Sequence, residues 1–487
     1  MRRQSRVDSR ESRVRGVEPG DDGCRPAAPL PSRCPVPGPR FPVPCPLSPV
    51  LAGIAVLVVL SSAATAAGAE TIRLDAAAAA ARAVAVSDLA AAAGHRLDAA
   101  AAGVGSADAR RLPVVSAAAA AAYRSSVPEY FLPAQTPDGP ALVLIPDIRE
   151  VYAASLAVGQ TLYRGGAVDG ARERARHDLT ALEADAARTA ADLVLAGRLA
   201  YWDAVQTDAL LVAARASLAR FERLRSDSEA LLTAGMAVRA DVLGAVARAA
   251  ETRVEVIRAE AAVSNAGDRL RSLLHLAADD SVELADSLAL LPGPPTALAQ
   301  MSEQALANRP ELKALAARAD ALAAGERIAR APARPLVGMS AQWDLANPNG
   351  RYFPPEATWQ DSWSVGVTAG WTLFDGGQAR SDAAVAAAGR RALLAERAEL
   401  ERGILLEVST ARTALSSALA AADAADAAHA AALAREEAER ERHAAGLSTI
   451  VEILDAQAGL ADAEVRRVVA RGAAWIAAAQ LARAVGT

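Results

Sequence analysis

The chain repeats itself at long range without insertion or deletion. Residues 161–166 (TLYRGG) return as residues 372–377 (TLFDGG), and residues 234–236 (AGM) return as 445–447 (AGL), both at an offset of 211. A constant offset suits one long helix, because a single extra residue would rotate its apolar face by about 100°. The repeat therefore predicts two equivalent units, 70–276 and 296–487.

Between these markers each repeat has the composition of a helix. Residues 167–233 and 378–444 contain no proline and are rich in Ala, Arg, Glu and Leu, which favour helix. At 1.5 Å per residue, each helix would be roughly 100 Å long, too long for a compact globular domain. Gly235 and Gly446 follow where a left-handed residue would end a helix, and helical patterns then resume. Each repeat is therefore predicted to contain a helical hairpin.

The predicted helical regions are 72–111, 166–276, 299–331 and 377–485. The return helix of each hairpin is much shorter than its partner. We therefore expect a helix from 72–111 or 299–331 to be stacked on it end to end. The proline-rich residues 277–295 would form a connection at mid-height.

The regions 113–163 and 335–374 have a different pattern. Between 363 and 373, apolar side chains alternate with serine, glycine and threonine, a period of two that gives a strand one apolar face. Each region is predicted to be a pair of strands of about ten residues, the length that crosses an outer membrane. Aromatic residues concentrate here, and six form a predicted membrane-interface belt: Tyr152, Tyr163, Trp343, Trp363, Trp371 and Phe374.

Four strands cannot close a barrel, and lipid does not tolerate an open sheet edge. The missing strands are therefore expected from other copies of the chain. An alternative from another class is a secreted coiled-coil scaffold or adhesin, for which long Ala-rich helices are also natural. The alternating, aromatic strand regions argue against that alternative.

Two segments precede the repeats. Residues 1–48 are rich in proline and arginine, hold all three cysteines, and are expected to be disordered or a misassigned extension. Residues 49–69 have the pattern of a signal peptide, with cleavage expected before Glu70. The remaining chain has a net charge near −9, which argues against nucleic acid as a partner. Its histidines lack metal-ligand spacing and it contains no nucleophile motif, so no metal, cofactor or enzymatic activity is predicted.

The chain resembles the TolC family of outer-membrane efflux proteins. Residues 372–377 are similar to the family's P-L-F-D-G-G run, residues 308–312 (NRPEL) to its N-R-P-D-L run, and residues 446–456 (GLSTIVEILDA) to its second hairpin turn. With the order of the elements, the resemblance covers 70–487. It implies a mainly α fold with a small β part. In this fold a homotrimer forms a twelve-stranded transmembrane β-barrel, four strands per protomer, continued by a long periplasmic α-helical barrel of coiled-coil hairpins.

The resemblance also implies a function. The chain would be the exit duct of a tripartite efflux pump in the outer membrane of a Gram-negative bacterium, in contact with outer-membrane lipid and extending into the periplasm. It would pass small molecules or ions from an inner-membrane transporter and a periplasmic adaptor protein to the exterior. Type I protein secretion is the alternative use of such a duct.

The resemblance places a gate near the hairpin turns. Asp241, Glu452 and Asp455 lie close to the two turn glycines, and three copies of each would form carboxylate rings that attract cations. Glu452 has a second interpretation, because Thr449 precedes it with the spacing of a helix capping box. For Asp241, the alternative is stabilisation of the first helical turn.

The same resemblance places adaptor docking at the hairpin turns. The expected docking residues are Gly235 and Met236 in the first repeat and Gly446, Leu447 and Ser448 in the second. The simpler interpretation is that the two glycines end helices, and both roles are compatible.

Overall fold

The computed structural model describes residues 71–133, 142–277 and 280–487. The predicted N-terminal extension (1–48), the signal peptide (49–69) and the cleavage position before Glu70 lie outside these residues. They stay predictions.

The described part of the chain contains eight α-helices. They are α1 (Ala76–Val86), α2 (Asp88–Ala109), α3 (Ala167–Thr233), α4 (Arg239–Leu273), α5 (Leu298–Asn308), α6 (Pro310–Arg330), α7 (Gln378–Ala444) and α8 (Ile450–Val485).

Two of the helices predicted from the sequence are each divided into two in the structure. The one expected over 72–111 bends by 49° at Ser87, whose extended backbone ends α1 and whose hydroxyl accepts the Leu89 amide to begin α2. The one over 299–331 breaks at Arg309, because the ring of Pro310 disfavours helical backbone in the preceding residue.

The helices α3 and α7 each span 67 residues and begin at the offset of the sequence repeat. Each is preceded by two glycines in the left-handed conformation, Gly165 and Gly166 before α3 and Gly376 and Gly377 before α7. Residues with a side chain rarely adopt this conformation. At Gly165 a β-carbon would also lie only 2.3 Å from the carbonyl oxygen of Ala331. The paired glycines therefore turn the chain from sheet into helix in both repeats.

The strands are β1 (Thr71–Leu74), β2 (Val114–Tyr123), β3 (Tyr130–Leu132), β4 (Leu142–Ile145), β5 (Glu150–Arg164), β6 (Ser281–Leu284), β7 (Leu336–Asn347) and β8 (Gln360–Gly370). The largest sheet has the order β2-β5-β7-β8, and each neighbouring pair is antiparallel. These are the four long strands predicted from the sequence. The predicted fold class, mainly α with a small β part, is confirmed.

The register of this sheet separates an apolar face from a polar one. Trp363 lies opposite Trp343, which lies opposite Leu156, and Val365 continues the same face two residues later. On the other face, Ser364 lies opposite Gln342 and small or polar residues fill the neighbouring positions. The period of two in the sequence therefore corresponds to one continuous apolar face across all four strands.

The helices pack in the stacked arrangement expected from their lengths. Against α3, α6 covers the half nearest the sheet, and α4 and α8 cover the far half. The end of α8 meets the start of α6, where the Arg309 side chain donates to the Arg483 carbonyl oxygen. The end of α4 likewise meets α1, where Arg82 donates to the Leu274 carbonyl oxygen. Shorter helices, stacked end to end, thus follow each long helix.

A small core at the level of these junctions was not predicted. The strands β1 and β6 pair in parallel beside it, although the sequence favoured helix for the first and a plain connection for the second. Trp202 stacks on Trp475 with ring centroids 4.3 Å apart. Tyr201 accepts the Asp286 amide and donates to the Leu74 carbonyl oxygen, and burial raises the pKa of its hydroxyl to about 12.

Among the described residues, no single helix is both long enough and apolar enough to cross a membrane. The bent pair α1 and α2 passes the same test of length and composition when taken together.

Candidate functional site

The two hairpin turns have the same geometry in both repeats. The Gly235 amide donates to the Leu232 carbonyl, and the Met236 amide donates to the Leu231 carbonyl. Gly446 and Leu447 repeat these two bonds at the end of α7. This pattern closes a helix end around a left-handed glycine. It leaves the side chains of Met236 and Leu447 pointing outward, 72% and 70% exposed.

Glu452 takes part in the capping box that its spacing predicted. Its carboxylate accepts the Thr449 amide at 2.7 Å, and the Thr449 hydroxyl accepts the Glu452 amide at 3.4 Å. Ser448 also donates to this carboxylate, at 3.0 Å. The bond from the Thr449 amide, followed by the Ser448 hydroxyl, holds the pKa of Glu452 below its usual range. Glu452 therefore stabilises the start of α8, and its part in a gate stays a prediction.

Of the two hairpin turns, both of which lie in the described part of the chain, only the second has a capping box, which gives a matched test. Val238 occupies the position of Thr449 in the first repeat and its side chain accepts no capping bond. We expect Thr449→Ala to destabilise the tip of the second hairpin by about 1 kcal/mol, because the Glu452 amide loses its side-chain acceptor. Val238→Ala should have little effect on the first tip. Hydrogen exchange of the first turns of α8 and α4 measures both, and equal changes in the two variants would contradict the capping role.

The other two predicted gate residues have different surroundings. Asp455 lies one turn beyond Glu452 and forms an ion pair with Arg435 of α7, with N and O 2.6 Å apart and both side chains exposed. Asp241 lies in the first turn of α4, and no described side chain pairs with it. The tips of the two hairpins are adjacent, because a β-carbon on Gly244 would contact Leu454 at 3.8 Å. The structure thus brings all three carboxylates to one end of the helices.

The six predicted belt residues occupy three levels of the sheet. Tyr152 lies at the end away from the helices and stacks on Trp359, with ring centroids 6.0 Å apart. Trp343 and Trp363 face each other within the ladder. The remaining three, Tyr163, Trp371 and Phe374, lie at the helical end of the sheet. Trp359 also lies at the end of the sheet away from the helices. The sequence did not predict it as a belt residue, because it lies in the loop before β8 and not in the alternating pattern.

A buried ionic network occupies the junction of α8 with α6. The Arg309 side chain is 7% exposed and binds both carboxylate oxygens of Glu407, at 2.9 and 3.2 Å. Its Nε lies 3.2 Å from Glu311, which also accepts from Arg483 at 2.7 Å. Burial raises the pKa of Glu311, but the bond from Arg483 and the nearby charges outweigh it and lower the pKa overall. The sequence singled out 308–312 without indicating this role.

A sequence model of the family described as outer membrane efflux protein matches residues 301–487. These residues belong to the outer membrane efflux protein family. The resemblance stated from the sequence is thereby confirmed, together with its expectations of an outer-membrane location and of no enzymatic activity. A search of curated proteins finds no match.

Solved structures show that the efflux-protein fold extends well beyond the matched residues. The outer-membrane channel OprN is 23% identical, with a TM-score of 0.67 over 84% of this chain and 89% of that one. VceC from Vibrio cholerae is 20% identical, with a TM-score of 0.68 over 84% and 95%. The open MtrE channel from Neisseria gonorrhoeae is 16% identical, with a TM-score of 0.70 over 84% and 88%. The likeness therefore covers both repeats.

Proposed function

We propose that the chain is the outer-membrane exit duct of an efflux system, assembled as a homotrimer. The observation that carries this proposal is the sheet β2-β5-β7-β8, which has a continuous apolar face and two edge strands. Among the described residues, each edge strand is paired on one side only. In lipid, the backbone groups on those edges need partners. Three copies would supply them by joining β8 of one protomer to β2 of the next, giving a closed barrel of twelve strands.

The helices support the same assembly. Both long helices leave the sheet at glycine pairs in equivalent positions, so they continue in the same direction away from it. Three copies would surround a tunnel roughly 100 Å long, the length of 67 helical residues. Its far end would be the hairpin tips, where Asp241, Glu452 and Asp455 supply a gate. The cargo would be small molecules or ions delivered by an inner-membrane transporter.

The hairpin tips are also the proposed docking surface for a periplasmic adaptor. Gly235 and Gly446 create bends without side chains, and Met236 and Leu447 beside them are exposed apolar groups. Ser448 lies next to Leu447 and donates to Glu439 and Glu452, which fixes the local backbone. An exposed apolar residue beside a bend, repeated in two adjacent hairpins, suits a helical tip inserted between them.

Reconstitution tests the duct directly. We expect the chain to fractionate with outer membranes, to run as a trimer after detergent extraction, and to produce channel currents in planar bilayers. The physical reason is that a monomeric sheet would leave two rows of unpaired backbone groups in lipid. A monodisperse monomer with native secondary structure, or a secreted protein without channel activity, would refute the proposal.

A matched pair of variants shows whether the apolar face meets lipid. Val365 and Ser364 are neighbours on β8 but point to opposite faces of the sheet. Val365→Arg should reduce assembly strongly, because an arginine on a lipid-facing strand costs about 2–4 kcal/mol near the middle of a bilayer. Ser364→Arg should assemble normally, since it would face the lumen. The reverse order of effects would show that the faces are assigned wrongly.

A further inference from the structure

A pocket of about 580 Å³ lies where the sheet meets the helices. We call it the junction pocket. It is lined by Arg110 at the end of α2, Arg164 at the end of β5 and Arg334 before β7, together with Trp371 and aliphatic residues of α3 and α6. No acidic side chain is among the described residues that line it. Its wall therefore combines three cations with an apolar surface.

The three arginines are not neutralised by the described protein. Arg110 and Arg164 form no side-chain hydrogen bond or ion pair with a described residue, and Arg334 donates only to the Gly165 carbonyl, at 3.2 Å. Arginines nearby behave differently. Arg111, for example, pairs with Asp169 at 2.7 Å. Positive charge without a counter-charge is thus concentrated at the junction pocket.

The internal repeat shows what the pocket lacks. In the second repeat, the Asp375 carboxylate accepts the amides of Gly377 at 2.8 Å and Ala379 at 2.9 Å, which caps the start of α7. The equivalent residue in the first repeat is Arg164, so α3 begins with no carboxylate at this position. The first residue of α3, Ala167, also lines the pocket. The first repeat therefore has a cation where the second repeat has its own anion.

We propose that the junction pocket binds a phosphate group, either as free phosphate or as the headgroup of an anionic phospholipid. Guanidinium groups bind phosphate oxygens in pairs, and the amides at a helix start favour an anion. The apolar wall formed by Trp371, Ile328 and Leu336 suits a phosphate that carries an apolar portion.

The position of the pocket favours the lipid source. It lies at the end of the strands where the apolar face of the sheet stops. If the sheet crosses the outer membrane, this is the level of the headgroups of the periplasmic leaflet. This step rests on the proposed function, whereas binding of free phosphate does not.

Titration of the detergent-solubilised full-length protein tests the proposal. Inorganic phosphate and a short-chain phosphatidylglycerol are each titrated by calorimetry against the wild type and three variants. Arg164→Asp places a carboxylate where Asp375 stands in the second repeat, and Arg334→Gln removes one guanidinium. Arg380→Asp makes the same charge change in the first turn of α7, outside the pocket, and is the control. Circular dichroism and oligomeric state establish that each variant is folded.

We expect saturable binding of both probes to the wild type, with phosphatidylglycerol the tighter. Arg164→Asp and Arg334→Gln should each weaken the binding affinity at least about tenfold, which corresponds to the loss of one charge-assisted hydrogen bond. The affinity of Arg380→Asp should stay within about twofold of the wild type. Phosphate binding without lipid binding would assign the site to free phosphate. Absence of saturable binding for both probes, or equal losses in Arg164→Asp and Arg380→Asp, would overturn the proposal. If the proposed duct function is wrong, the wild-type protein will form no trimer and produce no channel current, and both are measured separately from phosphate binding.

Discussion

Replacing Arg309 with methionine should destabilise the helical part of the protein by about 3 kcal/mol. Arg309 is buried and binds Glu311 and Glu407, and it also donates to the Arg483 carbonyl at the end of α8. Breaking a buried network by removing one partner costs about 3–5 kcal/mol, because the remaining charges lose their compensation. We expect the lower end of that range, since Glu311 keeps its bond to Arg483 and Glu407 is half-exposed. Urea unfolding followed by circular dichroism measures the change.

The control for this variant is Arg402→Met on α7. Arg402 forms an ion pair with Glu399, but both side chains are exposed. An exposed pair of this kind contributes about 0–1 kcal/mol, so the control should unfold close to the wild type. Equal destabilisation of both variants would mean that lost charge or helix propensity, and not the buried network, accounts for the effect at Arg309.

Replacing Asp455 with asparagine should lower the cation selectivity of the reconstituted duct roughly tenfold. This is the lower end of the range by which focused charge raises the local concentration of counter-ions. The change removes three carboxylates per proposed trimer from the hairpin tips without much change in side-chain size. It also leaves the positive charge of the Arg435 guanidinium without its partner. Reversal potentials in a salt gradient measure selectivity, and block by divalent cations should weaken in parallel.

The ion pair with Arg435 supplies a variant with the opposite sign. Arg435→Gln frees the Asp455 carboxylate and should raise cation selectivity, whereas Asp455→Asn should lower it. Glu452→Gln is a separate case, because its carboxylate caps α8 and its loss should appear in a thermal melt. If Asp455→Asn and Arg435→Gln both leave selectivity unchanged, Asp455 does not face the channel axis, and the proposed gate is wrong.

The long elements could be predicted closely because their signals are local and repeated. The bounds of α3 and α7 follow from a proline-free stretch between two glycine markers. The repeat offset of 211 residues then gives the position of one long helix from that of the other. The apolar face of the main sheet follows from alternation alone. The capping box of α8 was visible in the spacing of Thr449 and Glu452. Backbone geometry and short-range hydrogen bonds determine each of these features.

Other features depended on residues that are far apart in sequence. The strand β1 pairs with β6 some two hundred residues later, and its four residues carry no pattern that distinguishes them from the helix that follows. The charge of Arg309 is visible in the sequence, but its burial depends on where α7 and α8 pass. Likewise, Arg435 becomes a partner of Asp455 only when the hairpin closes.

The sequence by itself determined the bounds of the two long helices and the apolar face of the main sheet, because helix and strand periodicities are properties of neighbouring residues. It also determined the two hairpin turns, since a left-handed backbone position favours glycine wherever it occurs. The tertiary structure decided which charges are compensated. It paired Asp455 with Arg435, buried Arg309 between two glutamates, and left Arg110 and Arg164 around one pocket without a carboxylate. Coulombic compensation depends on distances in space, and sequence separation does not set those distances.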